Sequence, residues 1–265
     1  MSKQGGGMSK QDSGISKRSD ETNKDRDARV PRKAFLGATA LAATAAALAA
    51  CNPRGQRGSA HPHGRILYAV LTPDEYDYDR MMTVIRTHNP HKQLFPATTA
   101  SVQASTSTAL IFMHMQFAMN GYQFSLPTST PLATLGVFSG PAVLFGLNDD
   151  VWRKYGISQR YQLADTNVYY RAMSNLDVHA RPDDPKGLYQ DFSAQAVLKR
   201  GGSFMICHHA LTSFAAECAT RADRSTEAVL KELMVNLMPG FTLVPSGITA
   251  VQLAAESGWK IYPVG

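Results

Sequence analysis

The second half of the chain contains several short apolar runs, and each is followed directly by apolar residues at helical spacing. They lie at residues 134–138, 203–206 and 241–244. Runs of this length, rich in β-branched and aromatic residues, are typical of buried strands. Strands that alternate with helices predict an α/β fold with a mostly parallel sheet covered on both faces.

The same reading places the other elements. Two further strands are predicted at residues 65–71 and 260–263, which gives a sheet of about five strands. Residues 88–96 are predicted to be loop. The polar segment at residues 156–186 is too long for a plain connection in a compact domain, and it is interpreted as a lid or an oligomer contact. Helices are predicted at residues 74–86, 105–122, 140–152, 187–200, 208–218, 227–237 and 246–253.

The first 51 residues have the organisation of a signal peptide. The basic pair Arg32 and Lys33, followed by Phe35 and Leu36, is similar to the twin-arginine motif, with Lys33 where the second arginine is expected. The Ala-rich run that follows, up to Ala50, is too short and too weakly apolar for a good membrane-spanning helix. The chain is therefore predicted to be exported to the periplasm or the cell envelope.

Cys51 ends this leader. Residues 48–51 resemble a lipobox, in which the cysteine is lipidated and becomes the first mature residue. Cleavage nearby by the general signal peptidase, with Cys51 incidental, is the alternative. Residues 52–64 are predicted to be a linker, and residues 65–265 one folded domain.

The charge distribution argues against one class of partner. The chain has 27 Lys and Arg and 21 Asp and Glu, a formal net charge of +6. Nine of the basic and five of the acidic residues lie within residues 1–51, which leaves 18 against 16 for the rest. Because this remainder is nearly neutral and has no basic stretch interleaved with aromatic residues, nucleic acid is not an expected partner.

Candidate binding residues directly follow three of the predicted strands. Ligands collect outside the carboxyl ends of parallel strands, where the N–H groups of the following helices also point. These candidates are Ser139 and Gly140, then Cys207, His208 and His209, and finally Ser246 and Gly247.

Cys207 is the candidate reactive thiol. Three cysteines are too few for a disulfide framework, and the spacings match neither a Cys-x-x-Cys motif nor a zinc pattern, so no metal or other cofactor is predicted. Cys207 lies where a strand meets a helix N-terminus beside imidazoles, an arrangement that exposes a thiolate. The alternative is a small buried apolar residue. Cys218, on the apolar face of the same helix, is predicted to be core.

The two histidines after Cys207 have several possible uses. They are expected to tune the thiolate, to relay a proton, or to help hold a metal together with Cys207. Adjacent residues on a helix point apart, so only one of His208 and His209 is expected to face the site.

The C-terminal third resembles a known family. GGSFMICHHAL at residues 201–211 and FTLVPSGITAVQLAAESGWKIYPV at residues 241–264 resemble the DsrE-like sulfur-relay family. Its members share a strand that ends in Cys, a strand that ends in a Val-Pro-Ser-Gly-like turn, and a final Gly-aromatic strand. RILYAVL and TLGVFSGPAV are more loosely similar to its earlier strands. The resemblance covers about residues 65–265, and implies a three-layer flavodoxin-like sandwich that often oligomerises, with Cys207 as the sulfur-accepting thiol.

Three hypotheses follow for the function. The first is an exported sulfur carrier or sulfurtransferase, in which Cys207 holds a persulfide and the partner is a small sulfur compound or a thiol protein. The second is a non-catalytic module of the same fold that binds a small ligand, or a metal through Cys207 and a histidine. The third is a structural subunit with Cys207 buried. The resemblance also leads us to expect a homo-oligomer.

Overall fold

One parallel sheet organises the protein. The computed structural model describes residues 71–100, 110–127 and 130–263. Within them, five strands pair in the order β4-β3-β2-β1-β5, and every pairing is parallel. The strands are β1 (Lys92–Ala97), β2 (Ala133–Phe138), β3 (Ser203–Cys207), β4 (Phe241–Val244) and β5 (Lys260–Ile261).

Helices connect the strands. Helix α2 (Ile111–Asn120) continues as a π-helix over Gly121–Ser125, and 3₁₀-helices span Gly140–Gly146 and Leu188–Gln190. In the described part of the chain, no helix combines the length and the apolar character that crossing a membrane requires. The α-helices of the described residues are α1 (Tyr78–Ile85), α2 (Ile111–Asn120), α3 (Asp149–Lys154), α4 (Ile157–Tyr161), α5 (Ala194–Lys199), α6 (His208–Ala222), α7 (Thr226–Val235) and α8 (Gly247–Glu256).

Both faces of the sheet are covered. Successive strand residues point to opposite faces, so Leu94 of β1 packs with Ile85 of α1 on one side while Phe95 packs with Phe112 of α2 on the other. Each large apolar side chain that is fully buried contributes about 1.5–3 kcal/mol. The α/β fold with a parallel sheet is therefore confirmed, and its layers are consistent with a flavodoxin-like sandwich.

Strand β1 corrects the prediction of loop at residues 88–96. Its first two residues are polar and it contains Pro96, which argues against a central strand. The Leu94 carbonyl accepts a hydrogen bond from Tyr262 N at 2.8 Å, and Pro96, two residues further on, directs its nitrogen to the same side. Strand β5 ends at Ile261, opposite Leu94, so β5 has no carbonyl that needs the missing N–H.

The other strand predictions have two outcomes. The strands predicted at residues 134–138, 203–206, 241–244 and 260–263 are confirmed as β2 to β5, although β5 has two residues only. The strand predicted at residues 65–71 lies outside the described residues except for Leu71. The leader with Cys51 and the linker at residues 52–64 also lie outside them.

The helix predicted at residues 140–152 is interrupted. The 3₁₀-helix ends at Gly146 and α3 begins at Asp149. Between them Leu147 forms a bridge with Leu237, and the Asn148 side chain accepts a hydrogen bond from Val151 N at 3.1 Å. The bridge takes Leu147 out of the helical ladder, and Asn148 starts the next helix as its N-cap.

The helix predicted at residues 187–200 is shorter than expected. Its first part is the 3₁₀-helix Leu188–Gln190, and α5 begins only at Ala194. The Asp191 carboxylate accepts a hydrogen bond from Ser193 N at 3.0 Å, and the Ser193 hydroxyl caps α5 by accepting one from Ala196 N at 3.1 Å. These local side-chain bonds compete with a continuous helix.

The long segment at residues 156–186 is tied to the body of the domain by two carboxylates. Asp149 of α3 accepts a hydrogen bond from Asn167 N at 2.9 Å. Asp191 accepts from the N–H groups of Met173 and Ser174, each at 2.7 Å. The segment begins with α4 and continues as a series of turns. The two buried carboxylates thus accept hydrogen bonds from three of its backbone N–H groups.

Candidate functional site

A cavity of about 920 Å³ lies at the carboxyl edge of the sheet. Four strands deliver residues to its wall: Thr98 follows β1, Ser139 follows β2, Cys207 ends β3, and Ser246 follows β4. This edge is the usual ligand-binding edge of a parallel sheet. The structure thus brings together the three strand ends that carry the predicted residues, and adds the end of β1.

Gly247 makes this convergence possible. A Cβ atom at Gly247 would lie 3.0 Å from the Cβ of Ser139, 3.2 Å from the Cβ of Cys207 and 3.6 Å from its Sγ. The first turn of α8 therefore packs directly on the ends of β2 and β3, and a larger residue would push them apart. The backbone of Gly247 therefore lies close to the Cys207 sulfur.

Gly140 has a backbone function in the same region. Its φ is +50°, and a Cβ atom there would lie 2.5 Å from the Thr98 carbonyl oxygen. The preceding residue, Ser139, donates its N–H to Ala97 O at 2.8 Å. Glycine is thus required where the chain turns from β2 into the 3₁₀-helix against the end of β1.

Three helix beginnings face the cavity. Cys207 is the N-cap of α6, and Ser246 is the N-cap of α8, with its hydroxyl accepting a hydrogen bond from Thr249 N at 3.4 Å. The 3₁₀-helix begins at Gly140, followed by Pro141. Helix N-termini carry unsatisfied N–H groups and partial positive charge, so this edge favours a bound group with negative charge.

The two described cysteines have different surroundings. Both are free thiols. Both are buried in the same hydrophobic core, Cys207 with 5% and Cys218 with 2% of the residue exposed, and Cys218 is core as predicted. Cys207 differs in that it also lines the cavity. Burial raises the pKa of Cys218 to about 11. Cys218 is therefore protonated at neutral pH and a poor nucleophile.

The two histidines have different surroundings, although their ring centroids lie only 6.5 Å from each other. His209 lines the cavity, whereas His208 is 1% exposed and does not belong to the described lining. Burial, followed by the neighbouring charge of His209, lowers the pKa of His208, and Glu75 opposes this shift. The Nδ1 atom of His208 has no hydrogen-bond partner among the described residues. The geometry thus places His209, and not His208, beside a ligand of the cavity.

Sequence reasoning missed the wall that runs away from Cys207. Thr98 was missed because β1 was predicted to be loop, and Tyr161 because it belongs to the long segment at residues 156–186. The lining residues of α6 recur at helical spacing after Cys207, so the sequence could have predicted them. The missed lining residues are Thr98, Pro141, Tyr161, Ala210, Thr212, Ser213, Phe214, Ala216, Glu217, Thr226 and Ile248.

Metal binding receives no support from the geometry. Across residues 71–100, 110–127 and 130–263, no three His, Cys, Asp or Glu side chains lie together as a metal ion requires. The described part of the cavity wall offers Cys207, His209 and Glu217, which are not grouped in this way. A metal held by Cys207 and a histidine would therefore need ligands from elsewhere.

No family model matches the chain, and no curated protein matches it. The resemblance to DsrE-like relay proteins stays a prediction from residues 201–211 and 241–264. The cavity and the Cys207 thiol that lines it are therefore the basis for the proposed function.

Proposed function

We propose that this protein is a sulfur carrier, in which Cys207 accepts one sulfur atom and holds it as a persulfide. One observation carries the proposal: Cys207 ends β3 and lines a cavity to which four strand ends contribute. A thiol on this wall is in position to contact a small molecule that enters the cavity. The resemblance near Cys207 and Gly247 agrees with this chemistry.

The transfer step balances without an oxidant when the donor is itself a persulfide, R–S–SH. The Cys207 thiolate attacks the outer sulfur, a bond forms between Sγ and that sulfur, and the S–S bond of the donor breaks. The donor leaves as R–S⁻ and the proton stays on the transferred sulfur. With thiosulfate the same attack releases sulfite.

Groups around Cys207 suit the charges of this step. The N-terminal ends of α6 and α8 favour negative charge on the attacking and leaving sulfur atoms. The Ser246 hydroxyl and the His209 ring line the same cavity, and imidazole is a common proton donor to a departing group.

A non-catalytic small-ligand module is the second candidate. The 5% exposure of Cys207 agrees with the third hypothesis, a buried structural thiol. The observation that favours a binding module is the cavity itself, which at about 920 Å³ is large enough for a small ligand. In this case a ligand occupies the cavity and leaves the thiol unchanged.

The leader adds a place of action to the proposal. Residues 1–51 support export to the periplasm or the cell envelope, with Cys51 as the lipidated residue. The donor is then a small sulfur compound or a partner thiol protein outside the cytoplasm. Assembly into a homo-oligomer stays a prediction.

Sulfur loading tests the function. Purified, reduced protein is incubated with thiosulfate or with an organic persulfide, and the intact mass and the peptide masses are measured. We expect one added sulfur atom at Cys207, none in the Cys207→Ser variant, and the normal amount in Cys218→Ala. Cys218 should stay unmodified, because at pH 8 a thiol with a pKa of about 11 is ionised in only about one molecule in a thousand.

Two results would decide against the carrier. If Cys207 takes up no sulfur and resists alkylation in the folded protein, the residue is structural. If Cys207 takes up no sulfur but a small ligand or a stoichiometric metal protects it from alkylation, the binding module replaces the carrier.

A further inference from the structure

The cavity has two parts with different chemistry. At the strand ends the wall is polar, with the hydroxyls of Thr98, Ser139 and Ser246 around Cys207. Away from this polar end the wall follows α6, where Ala210, Phe214 and Ala216 line it together with Thr212 and Ser213, and the surface of the cavity as a whole is mostly apolar. We call the first part the head and the second part the arm of the cavity.

The arm is long compared with an inorganic sulfur compound. It follows α6 from His209 to Glu217, and eight steps of about 1.5 Å make it roughly 12 Å long. Tyr161 and Ile248 line the cavity from other elements, and Ile248 is 81% exposed. A donor as small as thiosulfate would fill the head only.

The charges of the arm also argue against a highly charged ligand. Among the described residues that line the cavity there is no Lys or Arg. The acidic residue of this lining, Glu217, forms an ion pair with Arg160. An anion would therefore find helix N-termini in the head, whereas the cation beside the arm, Arg160, lies outside the described lining and is already paired with Glu217.

We infer that the natural sulfur donor is an organic persulfide, R–S–SH, whose uncharged and largely apolar chain R lies along the arm while its outer sulfur meets Cys207. This inference rests on the proposed function and narrows its substrate class. The new bond joins Cys207 Sγ to the outer sulfur, the S–S bond of the donor breaks, and R–S⁻ leaves along α6. Each methylene that enters an apolar wall raises affinity about threefold to fourfold.

Methanethiosulfonate reagents test this substrate class, because they share one reactive group and differ in the transferred chain. The chains are methyl, octyl, 2-sulfonatoethyl and 2-trimethylammonioethyl. Rates of modification are measured at the Cys207 peptide by mass spectrometry, and each is divided by the rate for the same peptide in the urea-unfolded chain. We expect the octyl reagent to react at least tenfold faster than the methyl reagent, and both charged reagents to react no faster than methyl.

Two substitutions on one helix supply a matched pair. Ala216→Trp fills the arm, so it should remove the octyl advantage, measured as the ratio of the octyl rate to the methyl rate of the same variant. Ala222→Trp, at an exposed alanine at the end of the same helix and outside the described lining, should keep the octyl advantage. Ile248→Asp, at an exposed position of the wall, should reduce the octyl advantage independently if Ala216→Trp proves unstable.

The outcomes separate the two proposals. If Cys207 reacts with all four reagents at similar normalised rates, or fastest with the sulfonate, the apolar donor is wrong and the carrier proposal stands. If Cys207 reacts with none of them in the folded protein, both are wrong. If the octyl reagent keeps its advantage in both Ala216→Trp and Ile248→Asp, the arm is not the cause of that advantage.

Discussion

Gly247 sets the spacing of the candidate site through the absence of a side chain. We expect Gly247→Ala to lower the free energy of unfolding by about 1–2 kcal/mol, because its Cβ would press on the Cβ atoms of Ser139 and Cys207. Those atoms move only with the strand ends, so the contact cannot be relieved by a rotamer change. The variant should also react more slowly at Cys207. Urea unfolding and alkylation rates measure the two effects.

Gly121 provides the control for this substitution. Its φ of −55° is helical, and a Cβ atom there would meet no heavy atom within 4 Å. Gly121→Ala should therefore raise the free energy of unfolding by up to about 1 kcal/mol. A Gly247→Ala variant that gains stability in the same way, with unchanged alkylation at Cys207, would show that the strand ends have room.

His208 should make stability depend on pH. Burial, followed by the charge of His209, lowers its pKa in the folded protein, while Glu75 acts in the opposite direction. The unfolded chain therefore binds the proton more readily than the folded protein does. The free energy of unfolding decreases as the pH falls below about 6.5, the pKa of histidine in the unfolded chain. We expect the free energy of unfolding to be higher at pH 7.5 than at pH 5.5.

A substitution isolates this contribution. His208→Gln should flatten the decline between pH 7.5 and pH 5.5, whereas His88→Gln, at an exposed position, should keep it. The measurement is urea unfolding at a series of pH values. A decline of the same size in His208→Gln would assign the effect to another group.

At the scale of elements, Asp191 joins the long segment to the start of α5. Burial acts to raise its pKa, but hydrogen bonds from Ser193 and Ser174 outweigh burial and hold the pKa below its usual value. Asp191→Asn removes the charge that these N–H groups bind, so we expect a loss of about 1–3 kcal/mol in the free energy of unfolding. Limited proteolysis within residues 171–187 should become faster.

Asp177 tests whether this effect is specific. Its carboxylate accepts a hydrogen bond from His179 N, two residues further on, in an exposed turn of the same segment. Asp177→Asn should change stability by less than about 0.5 kcal/mol and leave proteolysis nearly unchanged. Equal effects of the two substitutions would mean that Asp191 does not anchor the segment.

At the scale of the whole molecule, the leader predicts where the protein works. We expect the mature protein in the envelope fraction of the cell, and Cys51→Ala should be exported but recovered as a soluble protein. Without the acyl chains, membrane association loses its anchor. Cell fractionation and N-terminal sequencing provide the measurement, and Cys207→Ala should fractionate like the wild type.

Two fractionation results would contradict this proposal at different points. A soluble periplasmic wild type whose N-terminus lies beyond Cys51 would exclude the lipid anchor and keep the export. A wild type that stays in the cytoplasm would exclude the export itself.

Local patterns were sufficient to predict most of the sheet. Strands β2, β3 and β4 are short apolar runs, and β5 is the two-residue part of such a run. The residues that end β2, β3 and β4 could be assigned to one edge of the sheet, because the carboxyl ends of parallel strands lie at the same edge. The core position of Cys218 also followed from helical spacing, since the apolar face of α6 is recorded in its own sequence.

Only the tertiary structure decided the remaining features, because each depends on residues far apart in the chain. Strand β1 tolerates Pro96 owing to where β5 ends, and no pattern near Pro96 contains that information. The close approach of Gly247 to Ser139 and Cys207 comes from the packing of α8 on two strand ends. The arm of the cavity likewise joins Tyr161 of α4 to α6 and α8, so its length and apolar character arise only when these helices pack together.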